Sequence, residues 1–208
     1  MNDRKIRVLI VDDHPVLRDG VAAALSNHDD MVMVGEARNG REAVECFRTL
    51  RPDVTLMDLQ MPGMNGVEAI ATIRSDDPGA RIIVLTTYMG DAQVMRALKA
   101  GAVGYLLKSG LRTELIDAIR DVHRGQRHVQ RDVANEIAMH VVDEALTERE
   151  IAILRLVASG QANKQIASKL GLSEETVKGH MKNIFTKLDV ADRTHAVTVA
   201  ARRGIIEL

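Results

Sequence analysis

No tryptophan occurs in the 208 residues, and only two phenylalanines and two tyrosines do. A platform for single-stranded nucleic acid needs exposed rings on which bases stack, so that mode of binding is excluded. Cysteine is almost absent too. With Cys46 alone no intrachain disulfide can form, and its place in an amphipathic helical pattern reads as a small core residue. No apolar run approaches the ~18 residues of a membrane span. The charged start, with Asp3, Arg4, Lys5 and Arg7, leads into an apolar stretch, Val8–Val11, far too short for a secretory signal. The seven histidines show no metal-ligand spacing and read as surface or boundary residues. These absences together lead to the expectation of a cytoplasmic protein without membrane association.

What the chain does have is a set of short apolar runs that end abruptly on polar residues. Ile6–Val11 ends on Asp12 and Asp13, and Met31–Val34 is a second run. Val54–Met57 ends on Asp58 and is followed by a loop containing Pro62, Gly63 and Gly66. Residues 81–85 end on Thr86, and Val103–Leu107 ends on Lys108. Such runs between loop signals read as buried parallel strands. Between them, apolar residues recur at helical spacing, as in Val16, Leu17, Val21, Ala24 and Leu25, with Pro15 suited to a first helical turn and Asn39 to a cap. Five strands alternating with five helices predict a doubly wound parallel α/β sheet in the flavodoxin-like order 2-1-3-4-5 over residues 1–126.

In such sheets ligands bind beyond the carboxyl ends of the strands. Asp12, Asp13, Asp58, Thr86 and Lys108 all fall there. Three converging carboxylates repel one another, and a hard cation relieves this; Mg²⁺ favours one or two carboxylates together with water and phosphate oxygens. A lysine and a hydroxyl complete the inventory for phosphoryl transfer to a carboxylate, with Asp58 as nucleophile.

Residues 127–145 are mixed and polar, with Val133, Ile137, Val141 and Val142, and read as a partly helical linker. The strand signal then disappears. Thr147 to Glu150 is a capping box, Gly171 separates two short helical stretches, and Ser173 caps the second. Residues 146–208 are expected to form a small all-α helix-turn-helix domain. Charge divides along the same line: residues 1–145 hold 18 Lys and Arg against 22 Asp and Glu, and residues 146–208 hold 10 against 7. A weakly basic C-terminal part is compatible with a phosphate backbone as partner. On the helix after Ser173, Val177, Met181, Ile184 and Leu188 share one side, while Glu175, Lys178, Gly179, Lys182 and Thr186 share the other.

Two sets of motifs bring a family into view. Val11-Asp12-Asp13-His14-Pro15, Met57-Asp58-Leu59-Gln60-Met61-Pro62-Gly63-Met64-Asn65-Gly66, Thr86-Thr87, and Ala100-Gly101-Ala102 through Lys108-Ser109 resemble a response-regulator receiver domain. Leu146 to Glu150, Asn163-Lys164-Gln165-Ile166-Ala167, and Ser173 to His180 through Lys187-Leu188 resemble the LuxR-type DNA-binding domain. Together the chain is similar to a NarL/FixJ-type two-component response regulator.

The resemblance implies that Asp58 takes a phosphoryl group from a partner histidine kinase. It implies Mg²⁺ held by Asp13, Asp58 and the Gln60 carbonyl, with Asp12 acting through a water, and Thr86 and Tyr105 as a switch pair in which the ring enters space that Thr86 leaves. Gln60 and Tyr88 stand where the family tunes dephosphorylation, with the sign open. Lys178, Gly179 and Lys182 align with positions facing the major groove, with Thr176 and His180 as further DNA contacts. The last helix, with Ala196, Val197, Val199 and Ala200, is the family's dimer surface, although those residues serve equally well as core. The implied function is phosphorylation-controlled dimerisation and sequence-specific binding to promoter DNA. No enzymatic role is expected beyond self-catalysed phosphoryl transfer and autodephosphorylation. A hydrolase that uses an aspartyl-phosphate often carries a second Asp two residues after the nucleophile; here that residue is Gln60.

Overall fold

The computed structural model describes residues 4–87, 90–131, 133–135 and 145–206. The chain divides into two compact units, Met1–Met89 with Val94–Ala134, and Gly90–Gln93 with Asn135–Leu208. Among the described residues no helix is long and apolar enough to cross a membrane.

The sheet of the first unit contains β1 (Ile6–Val11), β2 (Met31–Ala37), β3 (Val54–Asp58), β4 (Ile82–Thr86), β5 (Gly104–Leu107) and β6 (His128–Val129). Its order is β2-β1-β3-β4-β5-β6, with every neighbouring pair parallel. The five expected strands lie in the expected order, but the sheet has a sixth. His128 and Val129 pair with Gly104 and Tyr105, within the segment read as linker. Two residues carry too little pattern to be recognised as a strand; an open edge on β5 is what recruits them. Beyond it, Val133 is buried, whereas Ile137, Val141 and Val142 lie outside the described residues, as does Tyr88.

The crossovers are helices α1 (Pro15–Ser26), α2 (Gly40–Leu50), α3 (Gly66–Asp76), α4 (Asp91–Ala100) and α5 (Leu111–His123). One core joins α1 and α5 to the sheet: Val21, Leu25, Leu115, Ala118, Ile119 and Val122 pack against Val8, Ile10, Leu56, Leu85 and Leu106. Each of the Val, Leu and Ile side chains among them contributes about 1.5–3 kcal/mol on burial. The strand pleat turns Leu9, Val11 and Met57, all fully buried, to the opposite face. Asn39 caps α2 by accepting from Glu42 N at 3.0 Å, and Asn65 with Glu68 forms a capping box on α3.

The second unit holds α6 (Glu148–Ala158), α7 (Asn163–Leu170), α8 (Glu174–Leu188) and α9 (Arg193–Arg202). Ile153, Leu154, Val157, Ile166, Val177, Met181, Ile184 and Leu188 form its core. Gly171 ends α7 at φ +65°, a left-handed conformation that glycine takes without strain. Ala196, Val199 and Ala200 of α9 belong to this same core, and Val197 and Ala201 pack partly buried against it. Ala196, Val199 and Ala200 therefore face this core, while Val197 keeps part of its surface exposed.

Candidate functional site

β1, β3, β4 and β5 end side by side, and their last residues build one site. Asp58 closes β3 and is 2% exposed; Asp12, just beyond β1, is completely buried. Lys108 follows β5, and its Nζ lies 2.8 Å from Asp58 Oδ2 and 2.7 Å from Asp12 Oδ2. The lysine thus stands between the two carboxylates rather than at an outer rim. Asp13, next along, is partly exposed, and the ring of His14 reaches back over both acids, with Nδ1 2.7 Å from Asp13 Oδ1 and 3.2 Å from Asp12 Oδ1. The His14 backbone N–H also donates to Asp12 Oδ1 at 2.8 Å, and the Gln60 N–H to Asp58 Oδ1 at 3.2 Å.

Burial pushes the Asp58 carboxyl above the usual carboxylate range, and Lys108 only partly offsets this. Burial would lower the Lys108 ammonium, but its pairing with Asp12 and Asp58 outweighs that and raises it, so the lysine stays charged. Asp12 Oδ2 and Asp13 Oδ1 are buried oxygens that accept no hydrogen bond of good geometry among the described residues; Lys108 Nζ lies 2.7 Å from the first and His14 Nδ1 2.7 Å from the second. One ligand atom each from Asp12, Asp13, His14 and Asp58 falls within 4.8 Å of the others. Closely set carboxylate oxygens with unfilled lone pairs are the donor set of a hard divalent cation, so the residues present fit one.

Thr86 ends β4 and is 1% exposed. Tyr105, on the adjacent β5, is fully buried, and its phenol is hydrogen-bonded with Thr86. Burial drives that phenol well above its ordinary range. In this structure the ring is buried at the end of the sheet beside Thr86.

Two glycines let the loops close around Asp58. A Cβ on Gly66 would lie 2.0 Å from the Asp58 carbonyl oxygen, and one on Gly40 2.5 Å from the Met64 carbonyl oxygen. The first turn of α3 is thereby pressed onto the end of β3, and α2 onto the loop between them. Two residues in or near the site were not recognised from sequence. His14 carried a local signal, since it directly follows the acid pair. Arg18 carried a subtler one: it is charged, yet it falls in register with Val21 and Leu25 on the buried side of α1, and it is 5% exposed.

In the second unit, α7 and α8 form the helix-turn-helix. Ser173 Oγ accepts from Thr176 N at 3.1 Å, and the two hydroxyls are 2.8 Å apart, so Thr176 is occupied in capping α8. Val177, Met181, Ile184 and Leu188 are buried, while Lys178, Gly179 and Lys182 are exposed and His180 is half-buried. The Lys178 ammonium lies 3.6 Å from Glu174 and 3.7 Å from Glu175, loose pairs on a wet surface. A Cβ on Gly179 would meet nothing within 4 Å, so packing within the chain does not require glycine there. The scaffold is tied by buried Glu150, whose Oε2 accepts from Lys187 Nζ at 3.0 Å and from Thr147 N at 2.8 Å. Arg193 joins α9 to Gln161 and Asn163 at the turn before α7.

Comparison with known proteins agrees with both units. Residues 8–120 match the family described as response regulator receiver domain, and residues 144–200 match bacterial regulatory proteins of the luxR family. The transcriptional regulatory protein LiaR of Bacillus subtilis is 41% identical over 209 residues, covering 97% of this chain and 99% of its own. The response regulator protein VraR of Staphylococcus aureus is 40% identical over 207 residues, with the same coverage. Among solved structures, the response regulator ChrA of a heme-sensing two-component system is 39% identical, covers 97% of this chain and 99% of its own, and superimposes with a TM-score of 0.58. An RcsB–DNA complex is 28% identical over 96% of this chain and 99% of its own, with a TM-score of 0.73. The chain belongs to the LuxR-family response regulators, with a receiver domain followed by a LuxR-type DNA-binding domain.

Proposed function

We propose that Asp58 accepts a phosphoryl group from a partner histidine kinase, and that this event controls dimerisation and sequence-specific binding to promoter DNA, regulating transcription in the cytoplasm. The observation that carries the reading is the buried Asp58 held 2.8 Å from Lys108 within a cluster of acids at the ends of parallel strands. The working division is a receiver over residues 1–126, a linker over 127–145 and a DNA-binding domain over 146–208, with β6 extending the sheet into the linker.

An Asp58 carboxylate oxygen attacks the phosphorus of the kinase's phosphohistidine. The O–P bond forms as the N–P bond breaks, and the imidazole leaves with the electron pair. Asp13, Asp58 and the Gln60 carbonyl would hold Mg²⁺, with Asp12 acting through a water. Bound there, Mg²⁺ supplies positive charge that offsets repulsion between the phosphoryl oxygens and the carboxylates. Lys108 favours the ionised form of Asp58 and then pairs with an incoming phosphoryl oxygen.

Phosphorylation adds about −1.5 to −2 charge at the end of β3. Thr86 is the hydroxyl beside it, and donating to a phosphoryl oxygen would cost the Thr86–Tyr105 hydrogen bond. A buried phenol that loses its partner is destabilised by about 1–3 kcal/mol, which drives the ring to a new setting. Roughly 5 kcal/mol of differential stabilisation converts a mostly inactive population to a mostly active one, so dimerisation shares that load. Lys178, Gly179 and Lys182 then face the major groove, with Thr176 and His180 toward the backbone.

Incubation with Mg²⁺ and acetyl phosphate, read by intact-protein mass, tests the acceptor. One added phosphoryl group is expected, absent in Asp58→Asn; phosphorylation that persists in the variant refutes the assignment.

A further inference from the structure

Arg18 is an ever-charged guanidinium buried on the core-facing side of α1. Its Nη1 donates to the Asp12 carbonyl oxygen at 2.8 Å, and its Nε donates to Glu36 Oε2 at 2.7 Å. Glu36 lies on β2, paired with Ile10 of β1, and its side chain is half exposed. The planar fork of the guanidinium thus spans from the second strand to the peptide that joins Asp12 to Asp13. The orientation of that peptide sets where the Asp13 side chain leaves the backbone. Asp13 offers its oxygen to the acidic cluster from the outer, partly exposed side, and no other described side-chain hydrogen bond anchors the Asp12 carbonyl.

A stabilising role alone does not account for the arrangement. A buried ion pair is commonly replaced by apolar side chains without loss of stability, and the neighbouring positions Val21 and Leu25 are already apolar. A charged donor aimed at one carbonyl, one residue before a carboxylate that faces the cluster, is how an outer partner orients a ligand.

We infer that Arg18 is a positioning residue for the cation site: by holding the Asp12 carbonyl it aims the Asp13 carboxylate at the space shared with Asp58. This rests on the proposed Mg²⁺ site. Arg18 does not touch the cation or the phosphoryl group; it acts through Asp13, and Glu36 fixes the other end of its fork.

The test is Mn²⁺ binding to the full-length, unphosphorylated protein, followed by the electron paramagnetic resonance signal of free Mn²⁺. Arg18→Met keeps the aliphatic stem and removes both donors. It is expected to weaken Mn²⁺ binding about tenfold or more. In an Asp13→Asn background, titrated to higher Mn²⁺, the same change is expected to have no further effect. Unchanged affinity in folded Arg18→Met would overturn the inference, as would an equal loss with and without the Asp13 carboxylate, since a general effect on stability predicts that. Glu36→Gln, at a half-exposed partner, provides a second variant should Arg18→Met not fold. It is expected to weaken Mn²⁺ a few-fold, and unchanged affinity there also overturns the inference. Wild-type protein that binds no Mn²⁺ would overturn the cation site itself and the inference with it, whereas binding by wild type and by Arg18→Met alike would overturn the inference alone.

Discussion

Lys108 Nζ lies 2.8 Å from Asp58 Oδ2, across 50 positions of sequence, and the same ammonium is 2.7 Å from Asp12. One cation thereby serves two buried carboxylates. A divalent cation brought to the cluster must share the carboxylates with it.

Lys108→Met should therefore separate binding from reaction. Removal of the competing positive charge leaves the acids more negative, and Mn²⁺ affinity is expected to rise about tenfold, equivalent to ~1.4 kcal/mol. Phosphoryl uptake from acetyl phosphate should fall at least as far, because the cation that meets the phosphoryl oxygens is gone. Titration of Mn²⁺ and time-resolved mass measurement check the two halves. A variant with weaker Mn²⁺ binding would contradict the placement of Lys108 as a competitor.

Gly66 should tolerate no side chain. A Cβ there would sit 2.0 Å from the Asp58 carbonyl oxygen, and the nearest atoms are all backbone of Asp58 and Leu59, with no flexible side-chain end to yield. Gly66→Ala is expected to cost ~3 kcal/mol or more in urea unfolding of the receiver, and to displace the end of β3. Gly63→Ala, with open space around the Cβ but φ +76°, should cost only the ~1 kcal/mol of a left-handed backbone. A smaller loss at Gly66 than at Gly63 would refute the close approach.

Gly179 gives the opposite outcome. Nothing surrounds its Cβ position, and a glycine inside a helix costs about 0.8–1.0 kcal/mol relative to alanine. Gly179→Ala should stabilise the helical unit by about that amount while weakening binding to the cognate promoter, if α8 enters the groove by this face. Thermal unfolding together with DNA titration distinguishes the two effects. Gain of stability with unchanged affinity would show that the glycine does not face DNA.

Glu150 makes the helical unit sensitive to acid. Burial alone would raise its carboxyl, but hydrogen bonds from the Thr147 backbone and from Lys187 outweigh that, and the group ends below its ordinary value. A carboxyl depressed in the folded state contributes stability that is present above the unfolded value, about 4.3, and lost as pH falls through the folded value. Glu150→Gln should destabilise this unit by ~2 kcal/mol at pH 7 and flatten its loss of stability below pH ~4. Equal acid sensitivity in the variant and the wild type would assign that sensitivity to other carboxylates.

Much of the candidate site was legible only as a joint pattern. A lone strand-end Asp58 or Lys108 reads as a turn or surface residue, but apolar runs that stop on Asp12 and Asp13, Asp58, Thr86 and Lys108 in one parallel α/β order must bring those ends to one rim. The sixth strand was not legible, since two residues with no alternation carry no periodic signal and take their conformation from the free edge of β5. His14 was set aside because histidine spacing in the sequence held no metal pattern, although in space its ring joins the acids.

The sequence by itself determined the two-part organisation, the strand and helix periods, the capping boxes and the identity of the acidic residues, because these depend on residues within about one turn or one strand of each other. Only the tertiary structure decided that Lys108 stands between Asp12 and Asp58, that Tyr105 is buried and bonded to Thr86, that Arg18 grips the carbonyl beside Asp13, and that Ala196, Val199 and Ala200 of α9 face core. A helical stripe has the same period whether it faces its own core or a partner. A buried charge reads the same in sequence as an exposed one, until distant strands are laid side by side and the space around each group is set.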